Sequence, residues 1–133
     1  MSRIEHLEGK TVAIIGLGVS QVDFAIGLEN SREWDEVWCI NSAGLVYPAD
    51  RIFALDPASR FFDSNDAGKQ THAMKKLMAT SDVPIYTCEL DPRIKNAVRY
   101  PVEDVCNATK CAYMNTTVAF AIAYALYNKV GRA

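Results

Sequence analysis

Apolar positions along the chain fall into two patterns: short unbroken runs, and stripes at helical spacing. Thr11–Ile15 (TVAII) is a run rich in β-branched residues with no polar alternation. Such a run predicts a strand buried on both faces, as in the middle of a parallel sheet. Glu36–Ile40 (EVWCI), Arg51–Leu55 (RIFAL) and Val83–Cys88 repeat the pattern. Between them lie the stripes. Val22, Ala25, Ile26 and Leu28 mark a helix over Val19–Leu28, and Met74, Leu77 and Met78 mark one over Lys69–Thr80. Asn115–Asn128 contains VAFAIAYALY, apolar nearly all round, which predicts a largely buried helix.

The connections carry turn residues. Glu8-Gly9-Lys10 leads into the first strand, and Glu29–Asp35 is polar. Asn41-Ser42-Ala43-Gly44 and Tyr47-Pro48-Ala49-Asp50 read as turns. Asp56-Pro57 stops the third strand, because a proline pushes the residue before it toward extended geometry. Phe61–Lys69 reads as a polar loop. Glu89–Tyr113 reads as one long connection broken at Pro92 and Pro101, with a single helical turn at Val102–Asn107. A connection of that length in a compact domain is often functional, or a lid. Strands alternating with helices predict an α/β, Rossmann-like fold: a mostly parallel sheet with helices on both faces, in a single domain over residues 1–133. Strand, glycine turn and helix at Thr11–Leu28 form the first unit of a doubly wound chain.

Composition narrows the partners. The 133 residues suffice for one domain with a real core. Net charge is −2 and no Lys/Arg cluster stands out, which argues against nucleic acid. Met1–Lys10 is polar and is no secretory signal. The longest apolar run, Val118–Tyr127, is about half of a membrane span, so no membrane partner is expected. Cys39 and Cys88 fall in predicted strands and read as small buried hydrophobes. Cys106 and Cys111 share a loop, but neither His6 nor His72 lies near enough in sequence to complete a zinc set, so no metal is expected. Reduced thiols and no secretory signal fit the cytoplasm.

The candidate chemistry sits at predicted carboxyl ends of strands. After the first strand come Gly16, Gly18 and Ser20, where glycine admits a ligand close to the backbone and the following helix offers N–H groups and a positive dipole end. Gln21 stands where a dinucleotide motif has its third glycine. The second strand ends Cys39-Ile40-Asn41, without the carboxylate that clamps an NAD ribose. Asn41, Ser42 and Asp56 follow at other strand ends, and Asn115, Thr116 and Thr117 open the last helix. Each has a plain reading: a tight βα turn, turn formers, an Asx-turn before Pro57, an N-cap. Their convergence at one sheet edge argues for a site. Amides and hydroxyls there suit a base, a ribose and phosphates.

The segments AIIGLGVS, VWCINSA, DRIFALDP and YMNTTVAFAIAYALY together resemble a Rossmann-like glycosyltransferase-type group. The group contains bacterial CMP-sialic acid-dependent sialyltransferases, flagellin-glycosylating motility accessory factors and archaeal hydroxymethylpterin diphosphokinases. The chain looks most like small bacteriophage proteins of the same pattern. The resemblance spans roughly Thr11–Tyr127 and implies a CMP-like nucleotide as ligand. It places Gly16, Gly18 and Ser20 around the phosphates and Asn41 on the nucleotide or transferred group. Asn115, Thr116 and Thr117 line the base and ribose. Val19 departs from the group's proline, and Asn128-Lys129 from its Gly-Tyr. The group continues past the position of Ala133 into another strand and a catalytic histidine, which this sequence does not contain; His72 lies in the wrong segment to replace it. Catalysis therefore does not carry over, and the sequence also reads as the N-terminal part of a longer protein.

The leading expectation is a phage- or prophage-encoded domain, in the host cytoplasm, that binds a nucleotide or nucleotide-sugar. Any enzyme of this kind is a glycosyl- or nucleotidyl-transferase relative. No general base stands out: Asp56 is the best-placed carboxylate, followed by Asp104 and Glu103. One alternative is a non-catalytic interaction protein that keeps the fold and self-associates, with Tyr124, Tyr127 and Trp34 as interface residues. A further alternative is an NAD-dependent enzyme.

Overall fold

The computed structural model describes residues 4–16, 34–65, 67–110 and 116–131. The strands are β1 (Val12–Ile15), β2 (Glu36–Ile40), β3 (Arg51–Phe53), β4 (Ile85–Thr87) and β5 (Ala97–Arg99). The α-helices are α1 (Ser59–Phe62), α2 (Gln70–Thr80), α3 (Val102–Thr109) and α4 (Thr117–Tyr127). Short 3-10 turns occupy Glu5–Leu7 and Asn41–Leu45. The predicted helix over Val19–Leu28 lies outside the described residues.

All neighbouring strands are parallel, and their order is β1-β2-β3-β4-β5. Side chains alternate between two cores, as strand geometry requires. Trp38, Ile40, Phe53 and Tyr86 face one side with Val12; Val37, Cys39, Ile52 and Ile85 face the other with Ile15. Helices α3 and α4 cover the first face. Helices α1 and α2 and the 41–45 turn cover the second. This is the α/β, Rossmann-like arrangement that the apolar runs predict.

The winding is simpler than a doubly wound chain. The described strands follow sequence order without a reversal. The first face is covered when the chain returns after β5. Helix α4 crosses back over β1, β2 and β3. Its carboxyl end is fastened beside the start of β1: Ile4 N donates to Asn128 Oδ1 (2.7 Å), Gly9 N to Lys129 O (2.9 Å) and Gly131 N to Lys10 O (2.9 Å). The chains approach so closely there that a Cβ on Gly131 would lie 2.8 Å from Gly9 O.

The first face is aromatic. Phe53 stacks on Tyr86 at 4.9 Å between centroids, and Tyr124 touches Trp38, Phe53, Tyr86 and Tyr100 at 5.0–5.7 Å. Each such pair adds about 0.5–1.5 kcal/mol beyond area burial.

Three expectations need correction. Glu89–Tyr113 is not one long connection: it contains β5 and the eight-residue α3. The link from β4 to β5 uses no helix. Ile94 plugs the second core, Lys95 N donates to Met78 O, and Asn96 Nδ2 donates to Asp82 O. Phe61–Lys69 begins inside α1, with Phe61 buried. Cys88 lies just past β4 and is exposed, whereas Cys39 is buried as expected.

Candidate functional site

In a parallel sheet the loops that bind ligands leave the carboxyl ends of the strands. Register aligns those ends. Ile15 pairs with Cys39 and Ile40 with Phe53, so Gly16, Asn41 and Ala54 follow one another across the edge. Helix α4 ends beside the start of β1, so its N-terminus points to the same carboxyl side. Tyr100 Oη, just past β5, accordingly donates to Phe120 O at 2.6 Å. Thr116 and Thr117 therefore belong to this edge.

Asn41 is the most unusual residue there. It ends β2 in the left-handed region, at φ 51. Asparagine tolerates that region better than most residues, but a regular continuation of the strand would not require it. Its Oδ1 is buried and has no hydrogen-bond partner among the described residues. A buried acceptor left unpaired costs about 1–3 kcal/mol. Asn41 lines a cavity of ≈ 120 Å³ with Asp56, Arg60 and Gln70, over Phe61 and Met74. Ser42 Oγ donates to Gln70 Oε1 at 2.8 Å, which fixes that amide at the cavity wall. Asp56 Oδ2 accepts from Arg60 Nη1 at 2.8 Å across one turn. Asp56 is thus held by an ion pair in place of the Asx-turn.

Gly16 stands out among the described glycines. Gly9 and Gly68 have positive φ, at 75° and 59°. A Cβ on Gly44 would lie 2.7 Å from Ile52 Cδ1. Gly16 has neither reason: its φ is ordinary, and a Cβ there would meet no described atom within 4 Å. At the end of β1 its α-carbon is therefore uncrowded by the described residues.

The last helix begins with a working cap. Thr116 Oγ1 accepts from Ala119 N at 3.1 Å, and Thr117 opens α4. Gly18, Ser20 and Asn115 lie outside the described residues. Asp104 sits apart from Asn41 and Asp56, in a second and larger cleft of ≈ 740 Å³ at the ends of β4 and β5. That cleft is lined by Cys88, Arg99, Tyr100, Glu103 and Asp104. Burial, and secondarily the charge of Glu89, raises the Cys88 thiol, so it stays protonated and is a poor nucleophile near neutral pH.

The structure therefore brings Gly16, Asn41, Ser42, Asp56, Thr116 and Thr117 to one edge and separates Asp104 from the Asn41 cavity. Sequence reasoning missed Arg60, Gln70 and Arg99. Gln70 opens α2, with β3 and α1 between it and Asn41, and its approach to Ser42 is set by tertiary packing. Arg99 was hidden by the unrecognised β5, whose signal is the short run AVR between Asn96 and Pro101.

The proposed interface aromatics are placed elsewhere. Tyr124 and Tyr127 are buried in the first core, and Trp34 packs partly buried against the second. The exposed apolar residues of α4 are instead Val118, Ile122 and Leu126, spaced four apart. No helix among the described residues is long and apolar enough to cross a membrane. No protein-family model matches this chain, and neither the curated proteins nor the solved structures contain a match.

Proposed function

We propose that the domain binds a nucleotide or nucleotide-sugar, CMP-like in size, across the carboxyl ends of β1–β3. Asn41 carries the reading. A buried acceptor without a partner, on a backbone held in the left-handed region, is a cost that a bound donor group would remove. Gly16 supports it, since no described atom lies within 4 Å of a Cβ placed there, which leaves phosphates room beside the backbone. Thr116 and Thr117 add the positive end of α4 on the same side. Gly18, Ser20 and Asn115 join the proposed phosphate and ribose contacts by sequence alone. The resemblance to glycosyl- and nucleotidyl-transferases supplies the reaction class, and a phage-encoded protein of the host cytoplasm is the setting it implies. Asp56, which lines the Asn41 cavity, is the proposed acid or base; Asp104 lines the other cleft and is set aside for this role.

The test is a thermal-shift panel of CMP, CDP, UDP, GDP, ADP, ATP and NAD. Ligand at 100 times its dissociation constant stabilises by about 2.7 kcal/mol, several degrees for a domain of this size. A shift confined to one base class supports the reading. A flat panel with folded protein overturns it.

One observation favours self-association as a second reading: every exposed residue within α4 proper is apolar, namely Val118, Ile122 and Leu126. Rows four residues apart form the ridge by which two copies of a helix pack. Light scattering decides. A dimer dissociated by Ile122→Glu supports this reading, and a monomer removes it.

A further inference from the structure

We propose that the cleft at the carboxyl ends of β4 and β5 binds a small zwitterion, its carboxylate on Arg99 and its ammonium on Glu103. This does not rest on the nucleotide reading and concerns a different cavity.

The described arginines make the first argument. Arg51 pairs with Glu36, Arg60 with Asp56, and Arg93 with both Asp63 and Asp91. Arg99 alone among them has neither an ion pair nor a hydrogen bond to a described residue, and it lines the cleft of ≈ 740 Å³. A guanidinium presents a planar fork that matches a carboxylate with two parallel hydrogen bonds.

The second argument is the unmatched opposite charge. Glu103 lines the same cleft and also has no ion pair or side-chain hydrogen bond among the described residues. Arg99 and Glu103 do not pair with each other, although both are exposed and long enough to move. Glu103 and Asp104 occupy the first turn of α3, where the helix dipole favours ionised carboxylates. Pro101, at the N-cap, supplies no side-chain hydrogen bond there. Among the described lining residues, Arg99 and Glu103 are one charge of each sign without an ion pair. A dianion such as phosphate would meet Glu103 beside Arg99, and a dication would meet Arg99. A molecule carrying one charge of each sign matches both sides.

The cleft has the right scale and wall. Its ≈ 740 Å³ falls within the usual range for small-ligand sites, about 300–1,000 Å³. Tyr100, Pro101 and Val102 form an apolar side for an aliphatic body, with Val102 itself 42% exposed. The neutral Cys88 thiol adds no charge.

Three isosteric four-carbon probes separate the possibilities: 4-aminobutanoate, succinate and butane-1,4-diamine. Each is titrated at constant ionic strength into ¹⁵N-labelled protein while amide signals are followed. The expected result is saturable movement of the Cys88–Glu89 and Arg99–Asp104 signals with 4-aminobutanoate, at least tenfold weaker with either symmetric probe. Arg99→Gln should weaken that binding at least tenfold, Arg99→Lys less, and Glu103→Gln several-fold. Both residues are exposed, and the dispersion of the same spectra reports whether each variant folds. Equal binding of succinate or of the diamine would overturn the proposal. So would no saturable response of the wild type, or one unchanged in Arg99→Gln.

Discussion

The two edges of the sheet treat their polar groups in opposite ways. At the amino edge nearly everything is paired. Glu36 accepts from Trp38 Nε1 at 2.7 Å and from Arg51 Nε at 2.9 Å, with His6 Nε2 3.1 Å away. Arg51 Nη1 donates on to Tyr86 Oη at 2.9 Å. Asp35 and Asp50 accept from Thr11 N and Val37 N. Asn128 uses both ends of its amide, accepting from Ile4 N and donating to Tyr124 O. At the carboxyl edge, among the described residues, Asn41 Oδ1 has no partner, a Cβ on Gly16 would meet nothing within 4 Å, and Arg99 and Glu103 have no ion pair. Two asparagines in one small domain show the contrast: Asn128 bonds within the protein through both ends of its amide, and Asn41 Oδ1 has no partner among the described residues. Buried polar groups are normally satisfied internally, so the unpartnered Asn41 acceptor calls for an explanation, and the proposed ligand supplies one.

The largest expected effect comes from breaking the amino edge. Arg51→Met leaves Glu36 largely buried without its main partner, and should cost about 3 kcal/mol, the low end for a broken buried pair. Chemical denaturation measures it. The same network predicts an acid limb. Burial raises the Glu36 carboxyl, but hydrogen bonds from Arg51, Trp38 and His6 outweigh it and hold the carboxyl below its ordinary value. Its contribution is therefore complete above about pH 4.3 and lost as pH falls through the lower folded value. Stability of Glu36→Gln should fall less steeply than wild type between about pH 5 and 3.

Gly44→Ala comes next. The new methyl would sit 2.7 Å from Ile52 Cδ1, and crowding of that kind costs about 1–3 kcal/mol. Asn41→Gly should have the opposite sign. It removes both the left-handed side chain and the orphaned acceptor, and should stabilise the free protein by about 1 kcal/mol, roughly 4 °C. The smallest expected effect is Gly16→Ala, within about 0.5 kcal/mol of wild type, because no described atom stands in the way. If Gly16→Ala proved as costly as Gly44→Ala, the open space beside β1 would be needed for packing, and the contrast between the edges would weaken.

The parts legible in the sequence were those whose burial is strong on both faces. TVAII, EVWCI, RIFAL and the Val83–Cys88 run each contain a strand, and α2 and α4 lie within two residues of their expected starts. β5 was not legible because Ala97–Arg99 is three residues long and only partly buried, too short to show a period. Cys88 was placed inside because the apolar run extends past the last ladder residue, Thr87. In the same way Tyr124 and Tyr127 look like surface aromatics only until α4 is turned: its alanines and tyrosines face the sheet, and Val118, Ile122 and Leu126 face out. For the site, position at a strand end picked out Asn41, Ser42 and Asp56. What distinguishes them is not in the sequence. Ser42 and Asp56 are bonded to Gln70 and Arg60, and Asn41 is not bonded through Oδ1, a difference set by tertiary packing.

The central claim is that the carboxyl edge is unsatisfied because it binds a ligand. Its most direct test is the nucleotide thermal-shift panel run on wild type beside Asn41→Gly. The expected result is a free Asn41→Gly protein that melts about 4 °C higher than wild type, while the nucleotide shift seen in wild type is lost. A folded wild type with no shift for any nucleotide would contradict the claim. So would an Asn41→Gly protein that melts lower than wild type and keeps the full shift.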